Sequence, residues 1–131
     1  MPKSTILVVD DEPEVRKLVT AMMGRFDCNV LTADSGEHAL TLYKKRKDPI
    51  ALLITDVIAP GMSGPMLADK LSAIQPGLKV LYISGYDNTH VVQKYVIAKG
   101  HALLAKPFTV DELEAKVQEL LAPGVLSKAG V

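Results

Sequence analysis

Residues 50–54, Ile-Ala-Leu-Leu-Ile, are five consecutive apolar positions that lead through Thr55 to a carboxylate, Asp56. A run that is apolar at every position must be covered on both sides, which suits a strand in the interior of a parallel sheet with helices on each face. Pro60, Gly61, Ser63 and Gly64 then make a turn. Open α/β sheets bind their ligands at the carboxyl ends of strands, where such turns lie. Asp56 therefore stands where chemistry is expected.

The rest of the chain repeats this pattern. Residues 6–9, Ile-Leu-Val-Val, predict a first strand that ends at Asp10-Asp11-Glu12, with Pro13 suited to the first turn of a helix. Val15, Leu18, Val19, Met22, Met23 and Phe26 recur at helical spacing and predict its inner face. A second strand spans 29–33, and Asp34 or Ser35 can cap a helix with Ala39, Leu40 and Tyr43 inside. After the central strand, Ser63 caps a helix with Met66, Leu67, Leu71 and Ile74 inside, closed by Gln75-Pro76-Gly77. A fourth strand spans 79–84, and a helix over about 89–99 is weakened by the β-branched Val91, Val92, Val96 and Ile97. The fifth strand, 101–105, leads into Lys106-Pro107-Phe108, and Thr109 with Glu112 forms a capping box for a helix that buries Leu113, Val117, Leu120 and Leu121. Residues 1–122 make one domain, and 123–131 a tail or clipped linker.

Composition narrows the classes. At 131 residues the chain suits a single core, and 15 basic against 15 acidic residues leave no electrostatic footprint for direct nucleic-acid binding. No apolar run approaches the roughly 20 residues of a membrane span. One cysteine, Cys28, and an amino terminus without a signal-peptide pattern lead to the expectation of a cytoplasmic chain. His38, His90 and His101 have no metal-ligand spacing.

Five strands alternating with five helices predict a doubly wound, flavodoxin-like α/β fold with a five-stranded parallel sheet in the order 2-1-3-4-5. Strands one and three are then neighbours, which brings Asp10, Asp11 and Asp56 together. Three carboxylates repel one another unless a cation neutralises them, and an open oxygen cluster suits magnesium or manganese. Lys106 and the Ser84 hydroxyl end strands five and four and face the same crevice. Carboxylate, divalent cation, ammonium and hydroxyl together suit phosphoryl transfer, with Asp56 as a nucleophile that becomes an acyl phosphate. A metal-dependent phosphoesterase using the same aspartate is the rival reading, and Ile58 stands where its best-known design has a second acid.

Val-Val-Asp-Asp-Glu at 8–12, Thr-Asp at 55–56, Pro-Gly-Met-Ser-Gly at 60–64, Ile-Ser-Gly at 83–85 and Ala-Lys-Pro-Phe at 105–108 together resemble the response-regulator receiver domains of two-component signalling. The Ser-Gly-Tyr at 84–86 is similar to receivers of hybrid histidine kinases. The resemblance implies that Asp56 accepts phosphate and that Asp10, Asp11, Asp56 and the main-chain carbonyl of Ile58 hold magnesium. It implies further that Lys106 pairs with the phosphoryl group, Ser84 is the switch hydroxyl, and Pro107 follows a cis bond. The donor would be a phosphohistidine on a sensor histidine kinase or a histidine phosphotransfer protein. Such a domain assists its own phosphorylation and dephosphorylation without turning over a small substrate, and the family allows a weak homodimer. Three positions depart from the pattern. Leu103 replaces the frequent aromatic switch residue, and Ile58 and Tyr86 occupy positions that influence the hydrolytic water; Ile58 cannot hydrogen-bond that water, which predicts slow autodephosphorylation.

Overall fold

Apolar runs at 6–9, 52–54 and 80–83 form strands buried on both faces, and they are the three central strands of the sheet. The computed structural model describes residues 3–46, 49–58, 60–85, 94, 96–121 and 125. β1 (Ser4–Val9), β2 (Cys28–Ala33), β3 (Leu52–Asp56), β4 (Lys79–Ser84) and β5 (Ala102–Ala105) pair in parallel in the order β2-β1-β3-β4-β5. α1 (Pro13–Met23), α2 (Gly36–Arg46), α3 (Gly64–Ile74) and α5 (Val110–Leu120) connect or follow them, and residues 94 and 96–98 are helical in α4. The expected order and alternation are observed. The expectations for Tyr86, His90, Val91 and most of 123–131 lie outside the described residues.

Alternation along the strands divides the core in two. Leu7, Val9, Leu53, Val80 and Tyr82 face Ala39 of α2, Leu67, Ala68 and Leu71 of α3, and Val96 of α4. Ile6, Val8, Leu52, Ile54, Leu81 and Ile83 face Val19, Met22 and Met23 of α1 and Leu113 and Val117 of α5. Both faces are therefore dry, as the continuous apolar runs require.

Three inner-face assignments need correction. Met66 and Ile74 are 52% and 54% exposed, because α3 turns Gly64, Leu67, Ala68 and Leu71 to the sheet instead. Leu18 of α1 is 49% exposed at the edge of its apolar stripe. Element ends also shift: Ile50 and Ala51 precede β3, and His101 precedes β5.

α3 is anchored at both ends to β3. At its start Ser63 Oγ accepts the Met66 N–H, the Gly64 N–H donates to Val57 O at 3.1 Å, and a Cβ on Gly64 would overlap the Asp56 carbonyl. Beyond its end, Gln75 Oε1 accepts the Ile50 N–H at 2.9 Å while Nε2 donates to Ile50 O at 2.7 Å. The side-chain amide thus imitates a neighbouring strand at the entry to β3. α5 has the expected capping box, with Thr109 Oγ1 accepting the Glu112 N–H at 3.1 Å and Glu112 Oε1 accepting the Thr109 N–H at 2.9 Å. Past α5, the Val125 carbonyl accepts the Ser4 hydroxyl at 2.9 Å. No helix among the described residues is long and apolar enough to cross a membrane.

Candidate functional site

Strand register assembles the site. β1 and β3 are last paired at Val9 and Thr55, so Asp10 and Asp56 come one step later on adjoining strands. β4 and β5 are last paired at Ser84 and Ala105, and Lys106 follows, its N–H donating to Ser84 O at 2.8 Å. One end of the sheet therefore carries Asp10, Asp11, Asp56, Ser84 and Lys106.

Ligand oxygens of Asp10, Asp11 and Asp56 lie within 4.8 Å of one another. Lys106 Nζ is 3.7 Å from Asp10 Oδ2, 3.7 Å from Asp56 Oδ2 and 3.8 Å from Glu12 Oε1. Asp10 Oδ1 accepts the Glu12 N–H at 2.9 Å, and Asp56 Oδ1 accepts the Ile58 N–H at 3.2 Å. Among the described residues Asp10 Oδ2 is buried without a hydrogen-bond partner. Burial pushes the Asp10 carboxyl up, against the Glu12 N–H and Lys106, and Asp56 and Asp11 add to the rise. Burial also raises Asp56, opposed by Lys106 and the Ile58 N–H. One ammonium shared among several acids leaves the cluster short of positive charge, and three oxygen donors, one of them buried and accepting no hydrogen bond, fit a divalent cation.

The buried Ser84 hydroxyl donates to Gly85 O at 2.8 Å. Leu103 is half-buried and packs against the core cluster that contains Tyr82 and Val96, and the Lys106–Pro107 bond is cis. Pro107 lines an apolar hollow of about 410 Å³ with Val15, Leu18, Gly85, Lys106 and Phe108. Tyr86 lies outside the described residues. His101 packs its ring 5.8 Å from that of Tyr82, away from the acids, and burial lowers its pKa.

Two site neighbours escaped the sequence reading. Glu12 reaches Lys106 at 3.8 Å from an acid run that the sequence offers only as a turn and part of the 8–12 motif. Arg16, on the first turn of α1, donates from Nη1 to the Asp10 carbonyl at 2.7 Å. That bond depends on turn geometry, and a lone basic residue on a helix carries no sequence signal for it.

A doubly wound parallel sheet with three acids, a serine and a lysine at adjoining strand ends defines a class of α/β signalling domains. A family model for the response regulator receiver domain matches residues 6–118, and the chain belongs to that family, the phosphoryl-accepting module of two-component systems. It is 32% identical over 117 residues to the probable transcriptional regulatory protein TcrX of Mycobacterium tuberculosis, covering 89% of this chain and 49% of that protein. It is 26% identical to sporulation initiation phosphotransferase F of Bacillus subtilis, covering 92% of this chain and 96% of that one. The crystal structure of a response regulator receiver protein from Sinorhizobium medicae superposes with a TM-score of 0.79 at 25% identity, covering 90% of this chain and 94% of that chain. The chain spans about half or less of the length of several curated relatives.

Proposed function

We propose that Asp56 takes a phosphoryl group from a phosphohistidine on a sensor histidine kinase or histidine phosphotransfer protein, in the cytoplasm. An oxygen of the ionised Asp56 attacks phosphorus and forms the acyl phosphate. The P–N bond breaks, and its electron pair returns to the imidazole, which takes up a proton. Lys106, within reach of Asp56 Oδ2, pairs with the transferred oxygens. Asp10, Asp11, Asp56 and the Ile58 carbonyl would hold magnesium, which when bound neutralises charge developing on the phosphoryl oxygens. The Ser84 hydroxyl leaves Gly85 O for a phosphoryl oxygen, and Leu103 reports the change by packing, with Pro107 at the same end of the sheet. The apolar hollow beside Lys106 supports approach of a protein-borne donor.

The observation that carries this reading is a lysine shared between Asp56 and a buried second acid, with a third acid within 4.8 Å. Mass spectrometry after incubation with acetyl phosphate and magnesium tests it. One phosphoryl adduct is expected, abolished by chelator and by Asp56→Asn. An unmodified wild type, or an undiminished adduct in the variant, overturns it.

A further inference from the structure

The turn between β1 and α1 is tied down twice at Asp10. Its side chain accepts the Glu12 N–H, and its carbonyl oxygen accepts Nη1 of Arg16. The transfer described above does not use Arg16.

A peptide group is planar, so gripping the carbonyl of residue 10 fixes the whole 10–11 peptide and the direction in which the chain enters residue 11. That matters because the acids are held in different ways. Asp10 is anchored through Glu12 and Asp56 through Ile58. Asp11 is exposed, and among the described residues its carboxylate has no such main-chain partner.

We infer that Arg16 is a positioning residue: by holding the Asp10 carbonyl it aims the Asp11 carboxylate at the place a divalent cation takes between Asp10 and Asp56. A guanidinium suits the task, since it stays charged at any working pH and makes a short charge-assisted bond. It also brings positive charge to the cluster from the main-chain side and occupies no carboxylate oxygen. Lys106, by contrast, lies 3.7 Å from Oδ2 of both Asp10 and Asp56 and competes for the oxygens a cation would use. Groups that orient metal ligands from behind change affinity by about 10- to 100-fold when removed.

The inference rests on the phosphoryl-acceptor reading and has its own readout. Magnesium is titrated into the full chain without phosphodonor and followed by amide NMR shifts, for wild type, Arg16→Lys and Arg16→Met. Arg16→Met is expected to bind magnesium about tenfold more weakly, and Arg16→Lys, which keeps one charged donor, to fall between. At saturating magnesium the acetyl phosphate rate returns to that of wild type, a recovery that a general folding defect would not show. Wild-type affinity in both variants overturns the inference. So does a rate that stays low at saturating magnesium. If Arg16→Met does not fold, wild-type affinity in Arg16→Lys and Arg16→Gln overturns it instead. A wild type that neither binds magnesium nor is phosphorylated sinks the acceptor reading itself.

Discussion

Asp10 has 2% of its surface exposed, and its carboxyl, like that of Asp56, is raised above the ordinary aspartate value of 3.8. An acid with a raised folded-state pKa contributes stability that is fully present below 3.8 and is lost as pH rises through the folded value. The metal-free protein therefore carries an electrostatic penalty at neutral pH. Asp10→Asn keeps an acceptor for the Glu12 N–H and removes the buried charge. It is expected to stabilise the metal-free protein at pH 7, because the desolvation cost of a buried charge is removed. That gain should fade toward pH 4 and be replaced by weaker magnesium binding, as urea midpoints with and without magnesium would show. Ile58, 67% exposed, holds Asp56 through its main chain and offers water no polar side chain. Ile58→Asn is expected to speed loss of the phosphoryl group several-fold, followed by decay of the labelled protein after donor removal. The acids, Ser84 and Lys106 were legible because each ends an apolar run. Glu12 and Arg16 were not, because their contacts are made by a turn whose geometry no spacing rule encodes.

The elements were legible where one apolar stripe had one solution. α1 and α5 follow their spacing, apart from Leu18. α3 follows its spacing only at Leu67 and Leu71, because its large apolar residues lie on both sides and the face that packs also contains the small Gly64 and Ala68, leaving Met66 and Ile74 outside. Side-chain size alone does not choose between Leu67 and Met66; close approach at Gly64 and Ala68 does. Gly64→Ala tests this at the start of α3, where the added methyl meets the Asp56 carbonyl. It is expected to cost about 2 kcal/mol and to slow phosphorylation, measured by chemical unfolding and acetyl phosphate kinetics. Thr109→Ala removes one bond of the α5 capping box and should cost about 1 kcal/mol, measured by chemical unfolding.

The whole fold was the most legible feature, since five strand runs, three of them buried almost throughout, separated by helical stripes leave few parallel arrangements. Strand ends were less so, and Ile50 and His101 fell just outside the strands to which their apolar neighbours pointed. A stable mimic of the phosphorylated state, beryllofluoride with magnesium, should change amide hydrogen exchange at Ser84 and Leu103 and leave α3 as it was. The reason lies in how α3 is fastened. With Gly64 seated against the carboxyl end of β3 and Gln75 stitched to Ile50 at its entry, helix and strand form a closed buckle that cannot slide without breaking several hydrogen bonds at once. On the proposed reading, the signal of the acid cluster is therefore expected to leave through Ser84 of β4 and Leu103 of β5, and not through a shift of α3 along β3.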